Sequence, residues 1–174
     1  MSQSSNESGS QSLLPEELLQ SGAECGRLLK ARGETVGIAE GSCGGLISAA
    51  LLAVPGASSY YLGGAVIYTK KALDGLLTGK VDRPERLRGA TEPWAMHMAR
   101  GARLHLDATW GIGEGGAAGP SGNAYGNPSG HAWLAISGPS EVAENVLTGQ
   151  DDRLTNMVAF ATAALTLLAT QLTD

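Results

Sequence analysis

A short apolar segment that runs into a glycine-rich loop and then into a helix is the feature that most constrains this chain. Residues 35–39 are mostly β-branched or small, which is typical of a buried strand. Residues 40–45 form the glycine-rich loop, and the apolar run of residues 46–53 predicts a helix. This strand–loop–helix order is characteristic of α/β folds, in which ligands bind at the carboxyl ends of the strands.

Strands and helices alternate along the rest of the chain. The patterns predict further helices at residues 15–33, 70–77, 92–106 and from residue 152, and further strands at residues 63–68, 108–113, 131–137 and 142–147. This alternation predicts an α/β fold, a three-layer α/β/α sandwich with a mixed, partly parallel sheet. We expect residues 1–12 to be a disordered polar tail and residues 13–174 to form one domain.

Glycine is concentrated in one stretch, where eight of the 25 glycines lie between residues 111 and 130. Because this density is unusual inside a strand or helix, we expect a long loop that either carries function or is mobile. The loop follows a predicted strand, as residues 40–45 do. We therefore expect both loops to face one crevice above the sheet.

Charge and composition exclude several classes of protein. With 12 Lys and Arg against 17 Asp and Glu, the net charge is −5, so no basic field is present to bind nucleic acid or an anionic membrane. The two cysteines are too few for a disulfide framework, and a reducing, cytoplasmic compartment follows. Since the histidines share no ligand spacing and no dinucleotide fingerprint is present, we expect neither a metal nor a cofactor.

The apolar stretch at residues 157–169 is shorter than the roughly 20 residues that span a bilayer, so it predicts a buried helix. The same helix is apolar around most of its circumference, more than contact with one sheet would bury. A homodimer is therefore expected.

The loop at residues 40–45 opens a helix, where unpaired N–H groups and the helix dipole attract phosphate or an oxyanion. Ser42 or Cys43 would stand there as a nucleophile. The alternative is that Ser42 only caps the helix and Cys43 only fills the core. Beyond the second strand, Tyr68, Lys70 and Lys71 could position a ligand or activate a hydroxyl, although paired lysines are usually solvated.

Several motifs, in order, resemble the C-terminal domain of the competence/damage-inducible protein CinA. They are Ala-Glu-Gly-Ser-Cys-Gly-Gly-Leu at residues 39–46, Val-Pro-Gly-Ala-Ser at 54–58, Gly-Gly-Ala-Val-Ile-Tyr at 63–68, Ala-Gly-Pro at 118–120 and Asn-Pro-Ser-Gly at 127–130. The resemblance covers about residues 14–172. It implies a domain that is often dimeric and, in active members, hydrolyses nicotinamide mononucleotide to nicotinate mononucleotide and ammonia.

A small nucleotide is thus the implied ligand. The candidate catalytic residues are Ser42, Cys43, Tyr68, Lys70 and Lys71. The candidate substrate-binding residues are Glu40, Gly41, Gly44, Gly45, Gly115, Gly116, Gly119, Pro120, Ser121 and Arg153.

The chain departs from the family pattern at several polar positions. Active members read Glu-Ser-Cys-Thr-Gly-Gly, whereas Gly41 stands here in place of the usual Ser. Leu73 stands in place of the usual Lys, and Gly115 stands in place of the usual Thr. The Arg that the family pattern has just after its last glycine is represented at best by Arg153. Three functions follow as alternatives: amide hydrolysis of a nucleotide, a non-catalytic nucleotide-binding or dimeric interaction protein, and an amidase or esterase for another small substrate.

Overall fold

The structure, a computed structural model, describes residues 12–77 and 81–173. Except for Ser12, the predicted tail lies outside the described residues. The elements in chain order are α1 (Glu16–Arg32), β1 (Val36–Glu40), α2 (Leu46–Leu52), a 3-10 turn (Ala57–Ser59), β2 (Tyr61–Val66), α3 (Lys70–Leu76), α4 (Glu92–His105), β3 (Trp110–Ala117), β4 (His131–Ser137), β5 (Glu141–Leu147) and α5 (Arg153–Thr173).

The five strands form one mixed sheet in the order β2-β1-β3-β4-β5. β1 runs parallel to both of its neighbours, β2 and β3, whereas β4 is antiparallel to β3 and to β5. The carboxyl ends of β1, β2 and β3 therefore meet at one edge of the sheet, where ligands bind in open α/β folds.

Helices cover both faces of the sheet. α1, α2 and α5 pack on one face around a core that includes Leu29, Ile38 and Phe160. α3 and α4 cover the other face, where Leu73 and Met98 are buried. The predicted three-layer α/β/α sandwich is confirmed.

The helix termini follow the signals in the sequence. Gly33 closes α1 in a left-handed conformation with φ of 65°. The Thr91 hydroxyl accepts the N–H of Trp94 at the start of α4, and Pro93 stands in the first turn, where it costs no hydrogen bond.

The stretch from residue 111 is a strand in its first part, so the loop expected there begins only after β3 ends. A Cβ on Gly111 would lie 2.1 Å from the carbonyl oxygen of Ala99, and one on Gly113 would lie 1.9 Å from that of Ala95. Glycine thus lets α4 lie directly on β3. For residues 114–117 the expectation of a loop was wrong, because helix–sheet packing overrides the low strand propensity of glycine. The glycines inside β3 are Gly111, Gly113, Gly115 and Gly116.

The helix α5 is longer than the apolar stretch suggested. Its 21 residues are long and apolar enough to cross a membrane by length and composition. One face nevertheless belongs to the core, where Phe160, Leu165 and Leu168 are fully buried. A single helix of this kind is weak evidence of a membrane span, and the prediction of a buried helix holds for the face that belongs to the core.

Candidate functional site

A cavity of about 350 Å³ opens at the carboxyl edge of the parallel strands. The loop after β1 contributes Gly41 and Ser42 to its wall, and β3 contributes Gly115. Tyr68 and Lys70 line it from the segment that follows β2. The two glycine-rich segments therefore face one cavity as expected, although the second reaches it from within β3 and not from a loop after that strand.

The N-terminus of α2 is already occupied by a carboxylate of the chain itself. Glu40 is fully buried, and its oxygens accept the N–H groups of Gly45 at 2.9 Å, Ile47 at 3.1 Å and Ser48 at 3.1 Å. The Ser48 hydroxyl also donates to Glu40, at 2.7 Å. The expected anion site for a ligand at this helix end is therefore corrected, because Glu40 takes the N–H groups that a phosphate would need.

A second buried carboxylate, Glu114, lies opposite Glu40 on the neighbouring strand β3. It accepts the N–H groups of Gly41 at 3.0 Å and Cys43 at 2.9 Å, and the hydroxyl of Ser42. Burial raises the pKa of Glu114 and the charge of Glu40 raises it further, while the contacts with Ser42 and Cys43 act in the opposite direction.

Ser42 and Cys43 have different surroundings although they are adjacent. Ser42 is 6% exposed and lines the cavity. Cys43 is fully buried in the core beside Ile47. Burial, followed by the charges of Glu114 and Glu40, raises the pKa of the Cys43 thiol well above its usual range. Since a thiol reacts as its thiolate, the structure corrects Cys43 from candidate nucleophile to packing residue.

Among the residues that the structure describes, two cationic side chains reach the cavity wall. Lys70 was singled out from the sequence, and Arg83 was not. Arg83 donates to Asp74 at 2.6 Å in an ion pair that places it beside the cavity. Lys71 is exposed and stands outside the wall. The positive charge that an anionic ligand needs therefore comes from these side chains rather than from the helix end.

Arg153 joins two segments that lie far apart in sequence. Its guanidinium donates from Nη1 to the carbonyl oxygen of Gly119 at 2.7 Å and from Nη2 to the phenol oxygen of Tyr68 at 3.2 Å. Tyr68, which is 65% exposed, also lines the cavity. The structure thus brings these three candidates together. The remaining candidates Gly44, Pro120 and Ser121 are exposed and stand outside the wall.

Two of the positions at which the chain departs from the family pattern, Leu73 and Gly115, leave no room for the usual side chain. Leu73 is only 1% exposed and packs in the core with Met98. A Cβ on Gly115 would lie 2.6 Å from Cδ1 of the Trp94 ring. The local packing therefore accommodates the residues that are present and not the usual Lys and Thr.

Sequence reasoning missed Glu114, Arg83 and Tyr125 as parts of this site. Glu114 carried one signal, because it is the single charged residue inside the glycine-rich strand. Arg83 lies in a charged, irregular segment, where no pattern distinguishes it from solvated neighbours. Within residues 12–77 and 81–173, His, Cys, Asp and Glu form no group of three that could hold a metal ion.

The fold and this edge-of-sheet cavity define a three-layer α/β/α domain with a cavity lined by two glycine-rich segments. A family model described as the CinA C-terminal domain matches residues 19–172. The chain therefore belongs to the CinA C-terminal domain family, as its motifs suggested.

Individual relatives agree with this assignment. A "CinA-like protein" of Prochlorococcus marinus (strain MIT 9313) is 41% identical over 112 residues, which are 64% of this chain and 26% of the relative. One of Anaeromyxobacter sp. (strain K) is 37% identical over 143 residues, 81% of this chain and 35% of the relative. The chain thus spans about a third or less of the length of these curated relatives.

Solved structures share the fold over nearly their whole length. The competence/damage-inducible protein CihA of Agrobacterium tumefaciens superposes with a TM-score of 0.84 at 28% identity, covering 94% of this chain and 99% of that chain. A CinA superfamily protein of Escherichia coli superposes with a TM-score of 0.80 at 26% identity, covering 91% and 94% of the two chains.

Proposed function

We propose that this protein hydrolyses the amide of nicotinamide mononucleotide, or of a related nucleotide, to the acid and ammonia. One observation carries the proposal: the Ser42 hydroxyl is hydrogen-bonded to a buried carboxylate on the wall of a cavity that also presents Lys70 and Arg83. A hydroxyl held against a carboxylate is suited to attack a carbonyl carbon, and nearby cations are suited to hold a phosphate.

The size and lining of the cavity support a mononucleotide as the ligand. Small-molecule sites have volumes of about 300–1,000 Å³, and this cavity has about 350 Å³. Lys70 and Arg83 provide two cations for one phosphate group. The aromatic side chains of Trp94 and Tyr125 lie on the same wall and offer apolar surface to a planar ring.

The direct test is release of ammonia from nicotinamide mononucleotide, with the acid product followed by chromatography. Ser42→Ala is expected to abolish turnover because it removes the attacking oxygen. Ser48→Ala is the matched control, since Ser48 also donates to a buried glutamate but stands outside the cavity wall. Wild-type turnover that survives Ser42→Ala would contradict the proposal.

A second candidate function is a binding protein that has lost the chemistry. Burial of Leu73 favours it, because the usual lysine of active members has no counterpart at that position. Such a protein would show a rise in melting temperature with nicotinamide mononucleotide but no ammonia release.

We also propose a cytoplasmic location. Cys25 and Cys43 are both free thiols and both buried. Free thiols of this kind persist most readily in a reducing compartment, which is also where nucleotide substrates are found. Detection of the tagged protein in a membrane or secreted fraction would contradict this location.

A further inference from the structure

Glu114 holds the loop of residues 41–43 through both of its carboxylate oxygens. Oε2 accepts the backbone N–H groups of Gly41 and Cys43, at 3.0 Å and 2.9 Å. Oε1 accepts the hydroxyl of Ser42. Because two backbone donors fix Oε2, the carboxylate cannot rotate freely, and Oε1 stays against the Ser42 hydroxyl.

The neighbouring glutamate makes a similar pairing that does not reach the cavity. Glu40 accepts the Ser48 hydroxyl at 2.7 Å, but Ser48 lies within α2 and outside the cavity wall. Ser42 does line the wall. The two serine–glutamate pairs are therefore chemically alike, and they differ in access to the ligand space.

We propose that Glu114 is the general base of Ser42 and thus a catalytic residue of this site. The proposal rests on the hydrolase function proposed above. In the first step, Oγ of Ser42 bonds to the carbonyl carbon of the amide while its proton passes to Oε1 of Glu114. The carbon–nitrogen bond of the tetrahedral intermediate then breaks, and Glu114 returns the proton to the leaving nitrogen, which departs as ammonia.

Water completes the cycle through the same carboxylate. The water oxygen bonds to the acyl carbon while one of its protons passes to Glu114. The bond between the carbon and Oγ of Ser42 breaks, and Oγ recovers the proton from Glu114. The sum is amide plus water giving acid plus ammonia, with Ser42 and Glu114 restored.

The surroundings of Glu114 suit a base. Burial and the charge of Glu40 raise its pKa, and a carboxylate with a raised pKa accepts a proton more readily. Among the described residues, the other titratable group against it is the Cys43 thiol, while the cations Lys70 and Arg83 lie on the cavity wall. Since only the ionised carboxylate acts as the base, the rate must rise with pH through the raised pKa of Glu114.

The test is the rate at which a fluorophosphonate probe modifies Ser42, followed by intact mass and peptide mapping, because this readout needs no knowledge of the substrate. Wild-type protein is expected to be labelled on Ser42. Glu114→Gln keeps an acceptor for the N–H groups of Gly41 and Cys43 but cannot take a proton at neutral pH, so labelling should slow by about 100-fold or more. Ser48→Ala should be labelled at the wild-type rate.

The pH dependence keeps the proposal testable if Glu114→Gln fails to fold. Wild-type labelling is expected to rise with pH through a midpoint above the ordinary carboxyl range. A pH-independent rate, no labelling of Ser42, or folded Glu114→Gln labelled at the wild-type rate would each overturn the role of Glu114.

Failure of this role and failure of the proposed substrate give different results. If labelling depends on Glu114 but nicotinamide mononucleotide yields no ammonia, the general base stands and the substrate is wrong. If ammonia is released with the same kcat by wild-type protein and Glu114→Gln, the substrate stands and the general base is overturned.

Discussion

The charge that a ligand meets in this site is set by single residues rather than by the helix dipole. Glu40 occupies the N–H groups of α2, whereas Lys70 and Arg83 lie on the cavity wall. Binding of the proposed phosphate ligand therefore depends on side-chain cations, and we expect it to weaken as salt concentration rises.

Replacement of Lys70 tests this dependence. Lys70→Ala is expected to raise KM for nicotinamide mononucleotide about 10-fold with little change in kcat, because one charge-assisted contact is lost in ground state and transition state alike. Lys71→Ala is the control, since Lys71 is exposed and stands outside the wall. Equal effects of the two substitutions, measured by steady-state kinetics, would show that Lys70 has no specific contact.

Substitution of Gly115 by the threonine usual in the family should harm rather than help. A Cβ at this position would lie 2.6 Å from the buried Trp94 ring, so Gly115→Thr is expected to lower the free energy of unfolding by roughly 1–3 kcal/mol. Gly41→Ser should cost less, because its Cβ would lie 3.3 Å from the nearest atom, the Glu114 carbonyl oxygen. Denaturant titration compares the two variants, and an unchanged midpoint for Gly115→Thr would contradict this packing argument.

The sequence predicted which loops form the site but not how their polar groups are paired. Ser42 followed from local order, because residues 40–45 come directly after β1, whereas Gly115 reaches the same cavity from within β3. The pairing of Glu114 with residues 41–43 links positions more than 70 residues apart, so no local pattern contains it. That Ser42 lines the cavity whereas Cys43 is buried in the core likewise depends on contacts between distant parts of the chain.

At the scale of elements, α4 lies directly on β3, the strand that carries Glu114, and this close contact depends on the glycines of β3. Helices and most strands were predictable because their periodicity and capping residues are local, as Thr91 and Gly33 show. β3 was mistaken for a loop after residue 113, because its glycines are explained only by a helix that lies across them.

A methyl group between α4 and β3 tests this explanation. Gly113→Ala places its Cβ 1.9 Å from the Ala95 carbonyl oxygen, so α4 must shift. The expected loss is roughly 1–3 kcal/mol or more in the free energy of unfolding. Gly75→Ala is the control, because nothing lies within 4 Å of its Cβ and alanine favours the helix. Thermal unfolding that shows equal stability for both variants would refute the close-packing account.

At the scale of the whole molecule, α5 presents a second apolar face that the fold does not fully cover. Phe160 and Leu168 are fully buried in the core. On another side of the helix, Val158, Ala159 and Ala163 line a groove together with threonines. A helix with apolar residues on both sides is suited to pack against a partner as well as against its own sheet.

We therefore predict a homodimer that buries this groove, which has a volume of about 570 Å³. Ala163→Glu is expected to shift the protein to monomers, because a charge would have to be buried without a partner. Ala23→Glu adds the same charge at an exposed position of α1 and should leave the dimer intact. Light scattering at micromolar concentration measures both variants. A monomeric wild-type protein would contradict the predicted dimer. A dimer that survives Ala163→Glu would show that its interface does not include this groove.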